Sequence, residues 1–152
     1  MAGRIVVGLD ETEHSAAALR WAVEEGRLRG AEVEAVHVWT YVPIPGPLDG
    51  GLVVPLAVGD PTELLEVSER AAHEKARALL DDVLGGDHSV ALTVVQGNPA
   101  EALLEAAGDA DLLVVGNRGR GAFAEALLGS TSGQVSDRAP CPVVVVRAAG
   151  AD

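Results

Sequence analysis

The segment DLLVVGNRGRGAFAEALLGSTS, residues 111–132, decides how the whole chain reads. Leu112 to Val115 is an unbroken apolar run with two β-branched residues, the mark of a buried strand. It gives way to Gly116, Gly119 and Gly121, with Asn117, Arg118 and Arg120 among them. Gly129, Ser130, Thr131 and Ser132 then supply residues that suit the first turn of a helix. A strand, a glycine loop and a helix start can form an anion site, because the free N–H groups and the positive dipole end meet there. They can equally form a plain surface turn with a serine cap. Two arginines in an acidic chain, placed directly after a buried strand, favour the anion.

Outward from this segment the same alternation repeats. RIVVGLD, Arg4 to Asp10, reads as a first buried strand. SAAALRWAVEEGRLRG follows as a helix with Ala17, Trp21, Ala22 and Leu28 as its apolar stripe and Gly30 as C-cap. EVEAVHVW, Glu32 to Trp39, reads as a second strand. Thr40 to Asp60 holds four prolines and four glycines, which excludes a regular element of any length. Asp60-Pro61-Thr62-Glu63 is a helix start signal, and Asn98-Pro99-Ala100-Glu101 repeats it. The first opens a helix with Leu64, Leu65, Ala72, Ala76, Leu79, Leu80 and Val83 on one side, ending at Gly85-Gly86. The second opens a short helix to about Ala107. Between them SVALTVV, Ser89 to Val95, is a third strand. A helix from Gly129 to about Arg138 and a last strand, Val143 to Arg147, complete the chain. Strands this apolar, alternating with helices, predict one α/β domain over 1–152: an open five-stranded parallel sheet covered on both faces, with right-handed crossovers.

Composition bounds what such a domain can do. With 11 Lys plus Arg against 23 Asp plus Glu, the net charge is −12, which argues against a general binder of nucleic acid or anionic membranes. A single phosphorylated ligand stays compatible, since a few backbone N–H groups suffice to hold it. No apolar run approaches the roughly 18 residues of a membrane helix, and the chain reads as cytoplasmic.

In an open parallel sheet, ligands bind at the carboxyl ends of the strands where strand order reverses. Gly8-Leu9-Asp10, Val38-Trp39 and Gly116 are such ends. Two standard phosphate motifs fail here. The P-loop needs a Gly-Lys pair, which the chain lacks. Gly119 to Ala124 matches G-x-G-x-x-A, but no strand ending in an acid follows at the ribose-binding distance.

A longer spacing does match. Gly116, Gly119, nine residues, then Gly129-Ser130 is G-x2-G-x9-G-[ST], and it resembles the nucleotide-binding signature of the universal stress protein family. IVVGLDETEHSAAALRWA is similar to that family's first strand and helix, AVHVW to its second strand, GNPAEALLEAA to its third helix entry, and APCPVVVVR to its closing strand. The resemblance implies sheet order 3-2-1-4-5 with the switch point between strands one and four. It implies an ATP site in which Gly8, Leu9 and Asp10 contact the nucleoside and the Val38 backbone meets the adenine. Gly116, Asn117, Arg118, Gly119, Arg120 and Gly121 wrap the ribose and phosphates, and Gly129, Ser130, Thr131 and Ser132 bind the phosphates. A divalent ion, Mg or Mn, would be held by the phosphates themselves. Glu11-Thr12 departs from the family's usual glycine or serine and adds negative charge.

The remaining chemistry-bearing residues point to no catalytic centre. His14, His37, His73 and His88 have no metal-ligand spacing; His37 reads as a core histidine and His73 as a surface one. Cys141 lies between prolines without a histidine pattern near it. The expected role is a nucleotide-binding regulatory or protective module, with slow ATP hydrolysis or phosphotransfer as the enzymatic alternative and a nucleotide-free dimeric scaffold as the third. The VVVV strand at 143–146 would form an exposed sheet edge, and the resemblance implies a homodimer through strand 143–147.

Overall fold

The computed structural model describes residues 3–40, 61–117 and 128–148. Five parallel strands form one sheet in the order β3-β2-β1-β4-β5. They are β1 (Arg4–Gly8), β2 (Glu32–Trp39), β3 (Ala91–Gln96), β4 (Leu112–Gly116) and β5 (Val143–Val146). The helices are α1 (Glu13–Arg29), α2 (Pro61–Leu84), α3 (Pro99–Ala106) and α4 (Ser130–Arg138), with a 3-10 turn at Ala107–Asp109. Strand order reverses between β1 and β4, whose registers pair Ile5 with Leu112 and Val7 with Val114.

Side-chain alternation along the strands builds two cores. Ile5, Val7, Leu112 and Val114 face one side and pack with Ala18, Leu19 and Ala22 of α1 and Leu80 of α2. Val6, Val36, Leu113 and Val115 face the other and pack with Ala100 and Leu103 of α3 and Val135 of α4. Both faces of the central strands are therefore apolar, which is why their sequences show no polar alternation.

Local signals set the helix ends. Thr12 is the N-cap of α1, its hydroxyl accepting from the Ser15 N–H at 3.2 Å. Gly30 closes that helix at φ 66°, in the left-handed region where a side chain is strained. Asn98 caps α3, its Oδ1 accepting from the Glu101 N–H at 3.1 Å, with Pro99 at the first helical position.

Several expectations shift. The buried face of α1 is Ser15, Ala18, Leu19, Ala22 and Gly26, while Leu28 is 66% exposed. The helix turns about 100° per residue, and the many alanines left its phase ambiguous. A Cβ on Gly26 would lie 2.6 Å from Val33 Cγ2, so the glycine lets α1 sit close on β2. β3 begins at Ala91 rather than Ser89, and β5 ends at Val146 rather than Arg147. Among the α2 residues whose burial is described, only Ala72, Ala76 and Leu80 are buried; Leu64 and Leu65 are half-buried. The expected cap Asp60 and the proline-rich segment, apart from Thr40, lie outside the described residues.

One polar cluster ties the amino end of the sheet together. Arg4 pairs with Glu34 and Asp109 and donates to the Ala106 carbonyl at 2.9 Å. Burial raises the Glu34 pKa, but the Thr93 hydroxyl and the Arg4 guanidinium outweigh it and hold the carboxyl below the usual range.

Candidate functional site

The carboxyl ends of β1, β2 and β4 open into a cavity of about 460 Å³. That volume falls within the roughly 300–1,000 Å³ of small-molecule sites. Its floor is Gly8 of β1 with Leu9 to Glu11 after it, Val36 to Trp39 of β2 with Thr40 after it, and Val115-Gly116 of β4. Ser68, Ala71, Ala72 and Lys75 of α2 form one wall. Pro99 and Leu103 of α3, with Thr131 and Ser132 of α4, form another. The cavity therefore straddles the β1–β4 switch point, where a parallel sheet leaves a crevice because its flanking helices diverge to opposite faces.

Asp10 has two parts to play. Its Oδ1 accepts from the Thr12 N–H at 2.8 Å and from the Thr12 hydroxyl at 2.5 Å, forming the turn into α1. Its own N–H donates to Ser15 Oγ at 2.7 Å. Asp10 thus shapes the β1–α1 turn and also lines the cavity. Leu9 is buried and its N–H continues the sheet to the Val36 carbonyl at 2.9 Å. His37 is 5% exposed, with Nδ1 2.8 Å from the Leu9 carbonyl. A carbonyl can only accept, so Nδ1 carries the proton and the ring is held in one orientation. It is the core histidine expected from its strand position, and it also lines the cavity.

The start of α4 is organised from β4. The Asn117 carbonyl accepts from the Gly129 N–H at 2.8 Å and from the Ser132 hydroxyl at 3.0 Å. The Asn117 N–H donates to the Val146 carbonyl of β5 at 2.7 Å. Asn117 and Gly129 are therefore pinned together, which gives the long glycine spacing a structural cause: its two ends must meet. Gly129, not a serine, is the N-cap of α4, and among the described residues no side chain caps the helix. Ser132 is buried with its hydroxyl committed to the Asn117 and Gly129 carbonyls, so what it can offer a ligand is its N–H. Ser130 is exposed and Thr131 half-buried. The first N–H groups of α4 have no intrahelical acceptor, as at every helix start. Asn117 is buried, and its Oδ1 has no hydrogen-bond partner among the described residues.

Gly116 also has a packing role. Its φ is not positive, and a Cβ there would come within 2.7 Å of the His14 carbonyl carbon and 2.9 Å of the His14 oxygen. The backbone of α1 thus approaches Gly116 closely, and Gly116 also lines the cavity.

Of the predicted site residues, Gly8, Leu9, Asp10, Val38, Gly116, Thr131 and Ser132 line one cavity. Asn117 and Gly129 anchor its edge, and Ser130 stands beside them in the first turn of α4. Arg118, Gly119, Arg120 and Gly121 lie outside the described residues. Sequence reasoning missed Lys75, which lines the cavity from α2 and lies 3.6 Å from Glu11. A faint signal existed: Ala71, Ala72 and Lys75 share the helix face that also carries Ser68.

Among the described residues no cluster of three or more His, Cys, Asp or Glu could hold a metal ion. Cys141 is disfavoured as a nucleophile, because burial and the nearby Asp111 charge push its thiol pKa up. No helix among the described residues is long and apolar enough to cross a membrane.

Fold and cavity together define a Rossmann-like α/β protein with its crevice at the sheet's switch point. Residues 1–147 match the Universal stress protein family, and the chain belongs to it. A universal stress protein of Mycolicibacterium smegmatis is 37% identical over 144 residues, which cover 93% of this chain and 47% of that protein. The universal stress protein encoded in the QAH/OAS sulfhydrylase 3' region of Thermus aquaticus is 39% identical over 148 residues, 94% of this chain and 97% of that one. This chain thus spans about half the length of the first relative and nearly all of the second. A universal stress protein solved in complex with cAMP is 27% identical, with a TM-score of 0.57 over 95% of each chain.

Proposed function

We propose that the chain is a nucleotide-binding regulatory module of the stress response, with ATP as its ligand in the switch-point cavity. The observation that carries this is the composition of that cavity. Leu9, Val36, Val38 and Leu103 make an apolar slot, Asp10 stands at its β1 end, and the uncapped start of α4 stands at its far wall. That order of groups suits an adenine, a ribose and a phosphate in turn. A relative that binds cAMP on the same fold supports an adenine ligand.

In this arrangement Gly8, Leu9 and Asp10 meet the nucleoside and the Val38 backbone meets the adenine. The N–H groups of Ser130, Thr131 and Ser132 take the phosphates, with Asn117 and Gly129 holding them in place. Arg118, Gly119, Arg120 and Gly121 belong to the phosphate loop. A Mg or Mn ion would be carried by the phosphates. Hydrolysis is at most slow. The protein acts in the cytoplasm as a homodimer through strand 143–147, and β5 being the outer strand of the sheet supports that contact.

Calorimetry with ATP tests the reading. Binding heat is expected, with ADP and AMP competing. No heat and no competition at millimolar ligand would leave the empty-scaffold alternative. Phosphate released over hours, and lost on Ser130→Ala, would instead make the protein an ATPase.

A further inference from the structure

We infer that Lys75 and Glu11 set the ligand charge that this cavity accepts, Lys75 favouring phosphates and Glu11 opposing them. The inference rests on the nucleotide reading of the same cavity. Among the described residues that line it, Lys75 is the one Lys or Arg, while Asp10 and Glu11 are carboxylates. The formal charge of these described side chains is thus 1 − 2 = −1. That sign opposes a phosphorylated ligand, and Lys75 is the described cation that offsets it.

The pair is built to exchange. Lys75 Nζ lies 3.6 Å from Glu11 Oε2, with the side chains 47% and 31% exposed. That distance is an ionic contact rather than a hydrogen bond. Exposed pairs of this kind stabilise little, so Lys75 can leave Glu11 for a phosphate oxygen at small cost. An ammonium has three donors and can hold a phosphate while staying near the carboxylate. Charges on one cavity wall act on a ligand inside it over roughly a Debye length, about 8 Å at physiological salt. Thr131 and Ser132 on the opposite wall carry no charged side chain and offer a phosphate the N–H groups of the α4 start, so Lys75 adds to them a full charge.

The two residues should thus move affinity in opposite directions, and only for charged ligands. Calorimetry with ATP, AMP and adenosine, run in EDTA so that no divalent ion masks the carboxylates, tests this. Lys75→Met, which keeps the apolar stem, is expected to weaken ATP about tenfold, the effect of one charge-assisted contact. Adenosine should change less than about twofold, AMP should fall between, and Lys75→Arg should keep the wild-type order. Glu11→Gln should tighten ATP by about threefold and leave adenosine alone. If the wild type binds and Lys75→Met shifts ATP and adenosine by the same factor, or shifts neither, the inference is wrong while the nucleotide reading stands. If the wild type binds none of the three ligands, the nucleotide reading fails and this inference falls with it.

Discussion

Gly116→Ala is expected to destabilise the protein by about 3 kcal/mol, the upper end of overpacking costs. For a chain of this size that lowers the melting temperature by about 6–12 °C. The added methyl group would meet the backbone of His14 at 2.7 Å, a distance that real Cβ atoms do not reach. Backbone cannot rotate aside as a long side chain can. Either α1 must lift, disturbing Ala18, Leu19 and Ala22 in the core, or β4 must sink. Thermal unfolding of the ligand-free protein checks this. A melting temperature within about 2 °C of wild type would show that Gly116 is needed only for ligand approach.

Ala72→Leu is expected to weaken nucleotide binding by about 5- to 150-fold, the equivalent of 1–3 kcal/mol of overpacking. Ala72 is 8% exposed and lines the α2 wall of the cavity beside Ala71 and Ser68. Small side chains here are what keep that wall back from β2. Below Ala72, α2 is anchored by Ala76 and Leu80, which are fully buried, so the helix has little freedom to retreat. The larger side chain must then occupy ligand space. Calorimetry measures the loss, and circular dichroism establishes that the fold persists. Unchanged affinity in a folded variant would place the ligand away from α2.

The two predictions mark where sequence reasoning succeeds and where it stops. Strand order was legible only through the family resemblance, while the strand and helix pattern was legible because its causes are local. Continuous apolar runs such as Leu112 to Val115 declare strands buried on both faces, and Asn98-Pro99 declares a helix start. Gly30 reads as a C-cap without any tertiary knowledge. Leu28 failed because a helix rich in alanine has no sharp apolar stripe, and its phase is set by what it packs against. Thr12 was passed over as a mere departure from a family pattern, yet it caps α1 and holds Asp10.

At the site, the residues on one strand end or one helix start were legible, since topology alone brings Asp10, Val38, Gly116 and Thr131 to one crevice. Lys75 was not, because its approach to Glu11 depends on where α2 lies over the sheet. Gly116 reads from the sequence as a ligand contact, and the structure adds that its missing Cβ makes room for the backbone of His14. A glycine's spacing alone does not show which backbone comes close. The sequence reading of Ser132 as a phosphate contact names no atom; the structure commits its hydroxyl to the carbonyls of Asn117 and Gly129 and leaves its N–H.

The central claim is that the cavity between β1 and β4 holds an adenine nucleotide. A titration with ATP, followed by the backbone amide signals of the isotope-labelled protein, tests it most directly. The account predicts saturable shifts clustered at Gly8 to Glu11, Val38, Ala72, Gly116, and Ser130 to Ser132. Absence of any shift at millimolar ATP, or shifts confined to another surface such as the β5 edge, would contradict it.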